Sequence, residues 1–134
     1  MPLVRTDALA SVAEYAYAAI VEPQTRLVFT AGACPLDGNG RVVHLGDHVG
    51  QAQQAMANLV TALDAAGATL ADVVKSTVFV ATADRAALVA VWRVVRDAFG
   101  DHDPPSTLLG VTVLGYPDQL VEVEAIAALP ALAS

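Results

Sequence analysis

The sequence predicts an α+β fold, a mixed sheet with two helices on one of its faces, and two observations carry that expectation. Apolar residues recur at helical spacing in two segments, 49–63 and 88–99, and each segment lies between runs rich in Val, Ile, Phe and Thr. No stretch of the 134 residues has the composition of a linker, an internal repeat or a low-complexity segment, so a single domain over 1–134 is expected.

The elements follow in order. Residues 15–21 and 26–31 are apolar, β-branched or aromatic runs separated by Glu22-Pro23-Gln24-Thr25, which reads as a hairpin. Asp37-Gly38-Asn39-Gly40 is a second turn, followed by a short strand at 41–43. Val49, Ala52, Met56, Leu59, Val60 and Leu63 then fall on one stripe of a helix, with Asp47 as its N-cap and Gly67 as its stop. Residues 74–81 form the next strand. Leu88, Trp92, Val95 and Phe99 give a second amphipathic helix, starting near Asp84 and ending at Gly100. Residues 107–114 and 120–128 are two final strands joined by a turn at 115–119. The resulting order, with about six strands, implies two right-handed crossovers that put both helices on the same face.

Composition narrows the function. Hydrophobic residues make up 55% of the chain, yet only three Tyr, three Phe and one Trp are present, so the interior is built from Ala, Val and Leu. Small side chains cover a modest core and leave apolar surface for a subunit contact. A net charge of -7 opposes binding to a polyanion, and the seven Lys and Arg form no basic stripe; no nucleic-acid partner is expected. Cys34 is the sole cysteine and cannot close an internal disulfide. Met1-Pro2-Leu3-Val4-Arg5 lacks a secretory pattern, and no apolar run reaches the length of a membrane span, so a cytoplasmic protein without a membrane partner is expected.

The most informative segment is Val121-Glu122-Val123-Glu124-Ala125-Ile126-Ala127. In a strand Glu122 and Glu124 share one face, roughly 7 Å apart, while Val121, Val123 and Ala125 take the other. A core strand that keeps carboxylates on one face lines something. This strand follows Pro104-Pro105-Ser106-Thr107-Leu108-Leu109-Gly110-Val111 and Gly115-Tyr116-Pro117-Asp118-Gln119-Leu120, and earlier come Tyr15, Thr30-Ala31-Gly32 and Lys75-Ser76-Thr77-Val78-Phe79-Val80. Together these residues resemble the RidA family, also called YjgF or L-PSP endoribonuclease, from about Tyr15 to Ala127. The resemblance implies a homotrimer whose sheets form an inner barrel, with small-molecule sites in clefts between subunits. No metal or cofactor is expected.

Residue by residue, the resemblance implies that Glu122 positions or activates a water molecule. A carboxylate can do so when it reaches the water and its surroundings lift its pKa toward neutrality. Read without the family, it is a solvated strand residue. Glu124 matches no family position and is expected to be structural or solvent-facing. Tyr15 matches a tyrosine that faces the cleft, where a phenol stacks on or hydrogen-bonds a ligand. Tyr17 lies on the same strand face, so a shift of register exchanges the two. Thr30-Ala31-Gly32 matches a Thr-Ser-Gly, with Ala31 removing one hydroxyl and Gly32 serving a close backbone approach or a bulge. Backbone amides near Ala81-Thr82 and the Ser106 strand complete the inferred binding set, with Thr107 beside them.

The largest departure is Ser106. Family members that act on 2-imino acids carry Pro-x-Arg here, and that arginine pairs with the substrate carboxylate; this chain has Pro104-Pro105-Ser106. A guanidinium makes two charge-assisted bonds where a hydroxyl makes one neutral bond, a difference of roughly 2 to 4 kcal/mol in a partly buried cleft. Ser106 and Thr107 suit a neutral or hydroxylated ligand better than a typical 2-imino acid. Arg5, Arg26, Arg41 and Lys75 are the cations that another strand or subunit has available instead.

Other signals read as structural. His44 and His48 flank Gly46-Asp47, a helix start rather than a zinc helix, and His102 is a loop residue. Cys34, before Pro35, reads as a buried thiol without a base partner. Met56 and Trp92 read as core. Three functions remain: a RidA-like hydrolase of a C=N or related bond (an imine or enamine deaminase), a non-catalytic trimeric ligand-binding or regulatory protein, and a ribonuclease, which acidity and the lack of a His or Lys pair oppose.

Overall fold

In the computed structural model, which describes residues 3–133, both helical segments form where their apolar spacing places them. Met1 and Pro2, part of the N-terminal stretch considered above, lie outside the described residues. Helix α1 spans His48–Ala65 and α2 spans Arg85–Phe99. Each opens on an aspartate: Asp47 Oδ1 accepts the N–H of Gly50, and Asp84 Oδ1 that of Ala86, satisfying amides that a first helical turn leaves without a partner. Just past α1, Gly67 takes a φ of +82°, a region glycine enters without the Cβ clash other residues suffer. No described helix is long and apolar enough to cross a membrane.

Among the described residues six strands form, in two sheets. β1 (Leu3–Val4) and β2 (Ala18–Ala19) make a small antiparallel pair. β3 (Arg26–Phe29), β4 (Val73–Ala81), β5 (Ser106–Val111) and β6 (Val121–Leu129) make the main sheet, in the order β3-β6-β4-β5. β4 and β5 are parallel and joined through α2, whereas β6 runs antiparallel to both β3 and β4. The last strand therefore occupies a central place in the sheet.

Alternation along β4 and β6 divides the sheet into two faces. Val78, Val80, Val121 and Val123 are fully buried and pack with Ala52, Ala55, Leu59 and Leu63 of α1 and Val91 and Val95 of α2 in one core. Each of the larger side chains contributes roughly 1.5 to 3 kcal/mol by leaving water. The opposite face carries Lys75, Thr77, Phe79, Glu122, Glu124 and Ile126, all half-buried, and no element among the described residues covers it.

Several sequence expectations need correction. Residues 15–21 form no hairpin with 26–31: the turn at Glu22 to Thr25 is made, with Thr25 Oγ1 donating to the Glu22 carbonyl at 2.6 Å, but β2 pairs with β1 and β3 with β6. The N-terminal segment is held elsewhere, because Glu14 pairs with Arg96, Arg5 pairs with Asp103, and the Ala16 N–H donates to the Asp103 carbonyl at 2.8 Å. The strand expected at 41–43 shrinks to one bridge between Leu36 and Val42. Val49 and Val60, placed on the buried stripe of α1, are 39% and 44% exposed; the helix is rotated so that Gln51 and Ala55 face inward instead.

Candidate active site

Glu122 sits on β6 directly opposite Phe79 of β4, on the uncovered face of the sheet. Its Oε1 accepts two hydrogen bonds, from the Cys34 thiol at 3.2 Å and from Gln119 Nε2 at 3.3 Å. Its other flank lies on Gly32: a methyl group there would stand 2.5 Å from Cδ and 2.6 Å from Oε2 of Glu122. Gly32 is thus the bare patch of backbone against which the carboxylate rests. The chain is irregular at that point. Between the pairs Phe29↔Ile126 and Ala33↔Val123 it takes one residue more than β6, forming a bulge, and the Thr30 hydroxyl accepts the Ala125 N–H at 3.0 Å.

Cys34 is not the isolated buried thiol that the sequence suggests. It is half-buried, and burial, followed by the hydrogen bond to Glu122 and that group's charge, pushes its pKa up to about 11, whereas the Gln119 amide pulls the other way. It is therefore a neutral donor near pH 7.

A second cluster lies on the helix side. Tyr15, Trp92, Ser106, Thr107 and Leu108 line an open cavity of about 500 Å³ between α2 and β5. The Tyr15 ring meets Trp92 edge-on, with centroids 6.2 Å apart at 81°. Tyr17 is turned aside, its hydroxyl donating to the Ala10 carbonyl. Ser106 pairs with Ser76, hydroxyl to hydroxyl, and donates to the Pro104 carbonyl at 3.0 Å, so its only hydroxyl hydrogen is already engaged. Thr107 Oγ1 accepts from Lys75 Nζ at 2.7 Å.

Within one chain, then, the structure brings Gly32, with Ala31 beside it in the chain, onto Glu122 at one place and Tyr15 and Ser106 together at another; Thr107 borders the second cavity, but its hydroxyl, bonded to Lys75 and in register with Thr77, lies on the Glu122 face. Ser106 shares a row and a face with Ser76, which is buried among the helix-facing residues, whereas Glu122 projects from the opposite face. Thr82 lies apart, its carbonyl against Gly110, and the N–H groups of Ala81 and Thr82 already donate to Leu120 and Val80 at 2.9 and 3.0 Å. Glu124 borders a hollow of about 130 Å³ with Lys75, Thr77 and Phe29. Among the described residues, no three His, Cys, Asp or Glu side chains converge as metal ligands do.

Residues 5–129 match the profile of the family described as Endoribonuclease L-PSP. The chain belongs to the RidA/YjgF/L-PSP family. A RutC family protein of Pyrococcus horikoshii is 34% identical over 100 residues, covering 75% of this chain and 77% of that one. The 3-aminoacrylate deaminase RutC of Acinetobacter baylyi is 31% identical over 101 residues, covering 75% and 78%. Among solved structures, the Rid-family protein YyfB of Yersinia pestis superposes with a TM-score of 0.87 at 30% identity, over 96% of this chain and 98% of that one. E. coli TdcF, solved with bound serine, gives a TM-score of 0.66 at 28% identity, over 86% and 94%. A RidA-family chain thus carries this fold, with Ser106 at the start of β5.

Sequence reasoning missed three residues of these clusters. Cys34 and Gln119 were invisible because their meeting with Glu122 depends on a pairing across 88 positions and on a turn conformation. Trp92 was assigned to the core on its helical spacing; it does pack on the core, but its edge also walls the cavity that Tyr15 shares. Its position one turn after Leu88 carried no signal of that second role.

Proposed function

We propose that this chain hydrolyses a carbon–nitrogen double bond, as an imine or enamine deaminase, in clefts between the subunits of a homotrimer, and that Glu122 handles the water. The observation that carries this reading is the state of the Glu122 carboxylate: Oε1 is held by two donors, while Oε2 accepts no hydrogen bond among the described residues. A fixed carboxylate with one free oxygen is suited to accept a proton from water. In the reaction the water oxygen forms a bond to the imine carbon and its proton passes to Glu122. That proton is delivered to nitrogen, giving a carbinolamine; its hydroxyl proton then passes through the same carboxylate to the amino group, the C–N bond breaks, and ammonia leaves as the carbonyl forms. An enamine first becomes the imine by gaining a proton on carbon and losing one from nitrogen.

The separation of the two clusters favours a shared site. Tyr15 and Ser106 open on one face and Glu122 on the other, so a neighbouring copy is the natural source of the missing half. Leu27, Phe29 and Leu109, 47%, 68% and 42% exposed, give the uncovered sheet face the apolar surface that a subunit contact buries.

The name of the Acinetobacter relative makes 3-aminoacrylate a reasonable first substrate. The carboxylate of a typical 2-imino acid, like that of 3-aminoacrylate, gains no charge from Ser106, whose hydroxyl hydrogen is committed to Pro104, so 3-aminoacrylate serves as a probe of the reaction class and an uncharged enamine is the better-fitting substrate. The same observation supports a second reading, a trimeric ligand-binding protein without turnover. The test is ammonia release from 3-aminoacrylate generated in situ, with wild type and Glu122→Gln at equal trimer content. Acceleration lost in Glu122→Gln supports the deaminase; saturable binding without acceleration in either protein supports the binding protein. Ribonuclease activity is disfavoured by the net charge of -7.

A further inference from the structure

We propose that Cys34 and Gln119 are positioning residues for Glu122: both hold Oε1, which fixes the carboxylate on Gly32 and leaves Oε2 as the oxygen that meets water or ligand. Such positioning bears on turnover only if Glu122 handles the water, as proposed above.

Both donors are themselves held by the fold. Gln119 is 3% exposed; its Oε1 accepts the Tyr116 N–H at 3.1 Å and its Nε2 also donates to the Val121 carbonyl at 3.1 Å. Its amide therefore has one orientation, with the NH2 group toward Glu122. Cys34 is fixed through its backbone. Asn58 on α1 donates to the carbonyls of Cys34 and Leu36 at 2.8 and 2.9 Å, and fully buried Pro35 lies between them. Burial and the nearby carboxylate keep the thiol protonated at neutral pH, the state in which it donates. Glu122 is the charged group acting on the thiol, and Gln119 is the neutral one. A carboxylate between two rigid donors and a bare backbone surface keeps few of the rotamers an exposed glutamate samples. Precise placement of a reacting group is worth up to about 100-fold in rate per ångström of misplacement.

Because Cys34 is the sole cysteine, its thiol can be followed without interference. The experiment titrates the thiol in wild type and in Glu122→Gln, by thiolate absorbance and by the infrared S–H stretch, and compares kcat and KM for Cys34→Ser, Cys34→Ala and Glu122→Gln on an in-situ enamine. In Glu122→Gln the thiol pKa should fall from about 11 toward its ordinary value and the S–H band should move toward the free-thiol position. Cys34→Ala should lower kcat roughly 10- to 100-fold with KM little changed. Cys34→Ser, which keeps a donor, should recover most of that loss. An S–H band and a thiol pKa that ignore Glu122→Gln overturn the proposal, as does Cys34→Ala with wild-type kcat. If wild type turns over no enamine, the deaminase reading fails, and the thiol titration alone decides whether Cys34 holds Glu122.

Discussion

Gly32 and Glu122 come from distant parts of the chain and meet with no room for a side chain between them. What would collide in Gly32→Ala is the far end of a flexible glutamate, not backbone. We expect this variant to keep nearly the stability of wild type in thermal denaturation while losing turnover almost as fully as Glu122→Gln; a large drop in Tm with normal turnover would show that the contact serves folding alone. Cys34 gives a pH signature. Its folded pKa of about 11 lies above the ordinary 9.0, so an unfolded chain releases the thiol proton first as pH rises. The stabilisation is fully present below pH 9 and is lost between about 9 and 11, and Cys34→Ser should flatten that part of the stability profile in urea titrations. At this scale the sequence was informative where chemistry is local. Glu122 stood out as a carboxylate alternating with core residues, and Gly32 as a point of close approach. Cys34 and Gln119 did not, since nothing near them in the chain announces a distant carboxylate.

Helix α1 does more than cover the sheet. Gln51, fully buried, donates to the Asp118 carbonyl at 3.0 Å and accepts the Leu120 N–H at 2.7 Å, tying the helix to the turn that presents Gln119. Asn58, two turns later, holds the segment that carries Cys34. Asn58→Ala leaves two carbonyls without their donor and should cost about 1 to 3 kcal/mol in chemical denaturation, with faster alkylation of Cys34 as its loop loosens. Both helices were legible because a 3.6-residue period, aspartate caps and glycine stops agree with one another. β1 and β2 were not, because two-residue strands carry no periodicity. The central place of β6 was equally hidden. Strand neighbours are chosen by long-range pairing, and only the buried alternation of Val121, Val123 and Ala125 hinted at it.

At the scale of the whole molecule, one face of the main sheet remains uncovered, with Leu27, Phe29 and Leu109 exposed beside Lys75, Thr77 and Glu124. Burying that face between copies is what the proposed trimer accomplishes. Phe29→Glu should therefore yield a smaller species by light scattering, with little change in helix content, and turnover should vanish with assembly. A trimer unaffected by this change would place the subunit contact elsewhere. The measurement that tests the central claim most directly is ammonia release from in-situ enamines and 2-imino acids by wild type, Glu122→Gln and Ser106→Arg, each verified at the same oligomeric state. We predict that wild type accelerates enamine hydrolysis, that Glu122→Gln returns it to the spontaneous rate, and that Ser106→Arg extends turnover to 2-imino acids by roughly 30- to 1000-fold. Wild-type turnover that survives Glu122→Gln unchanged, or no acceleration by any of the three proteins, would contradict the assignment of this carboxylate as the group that handles water.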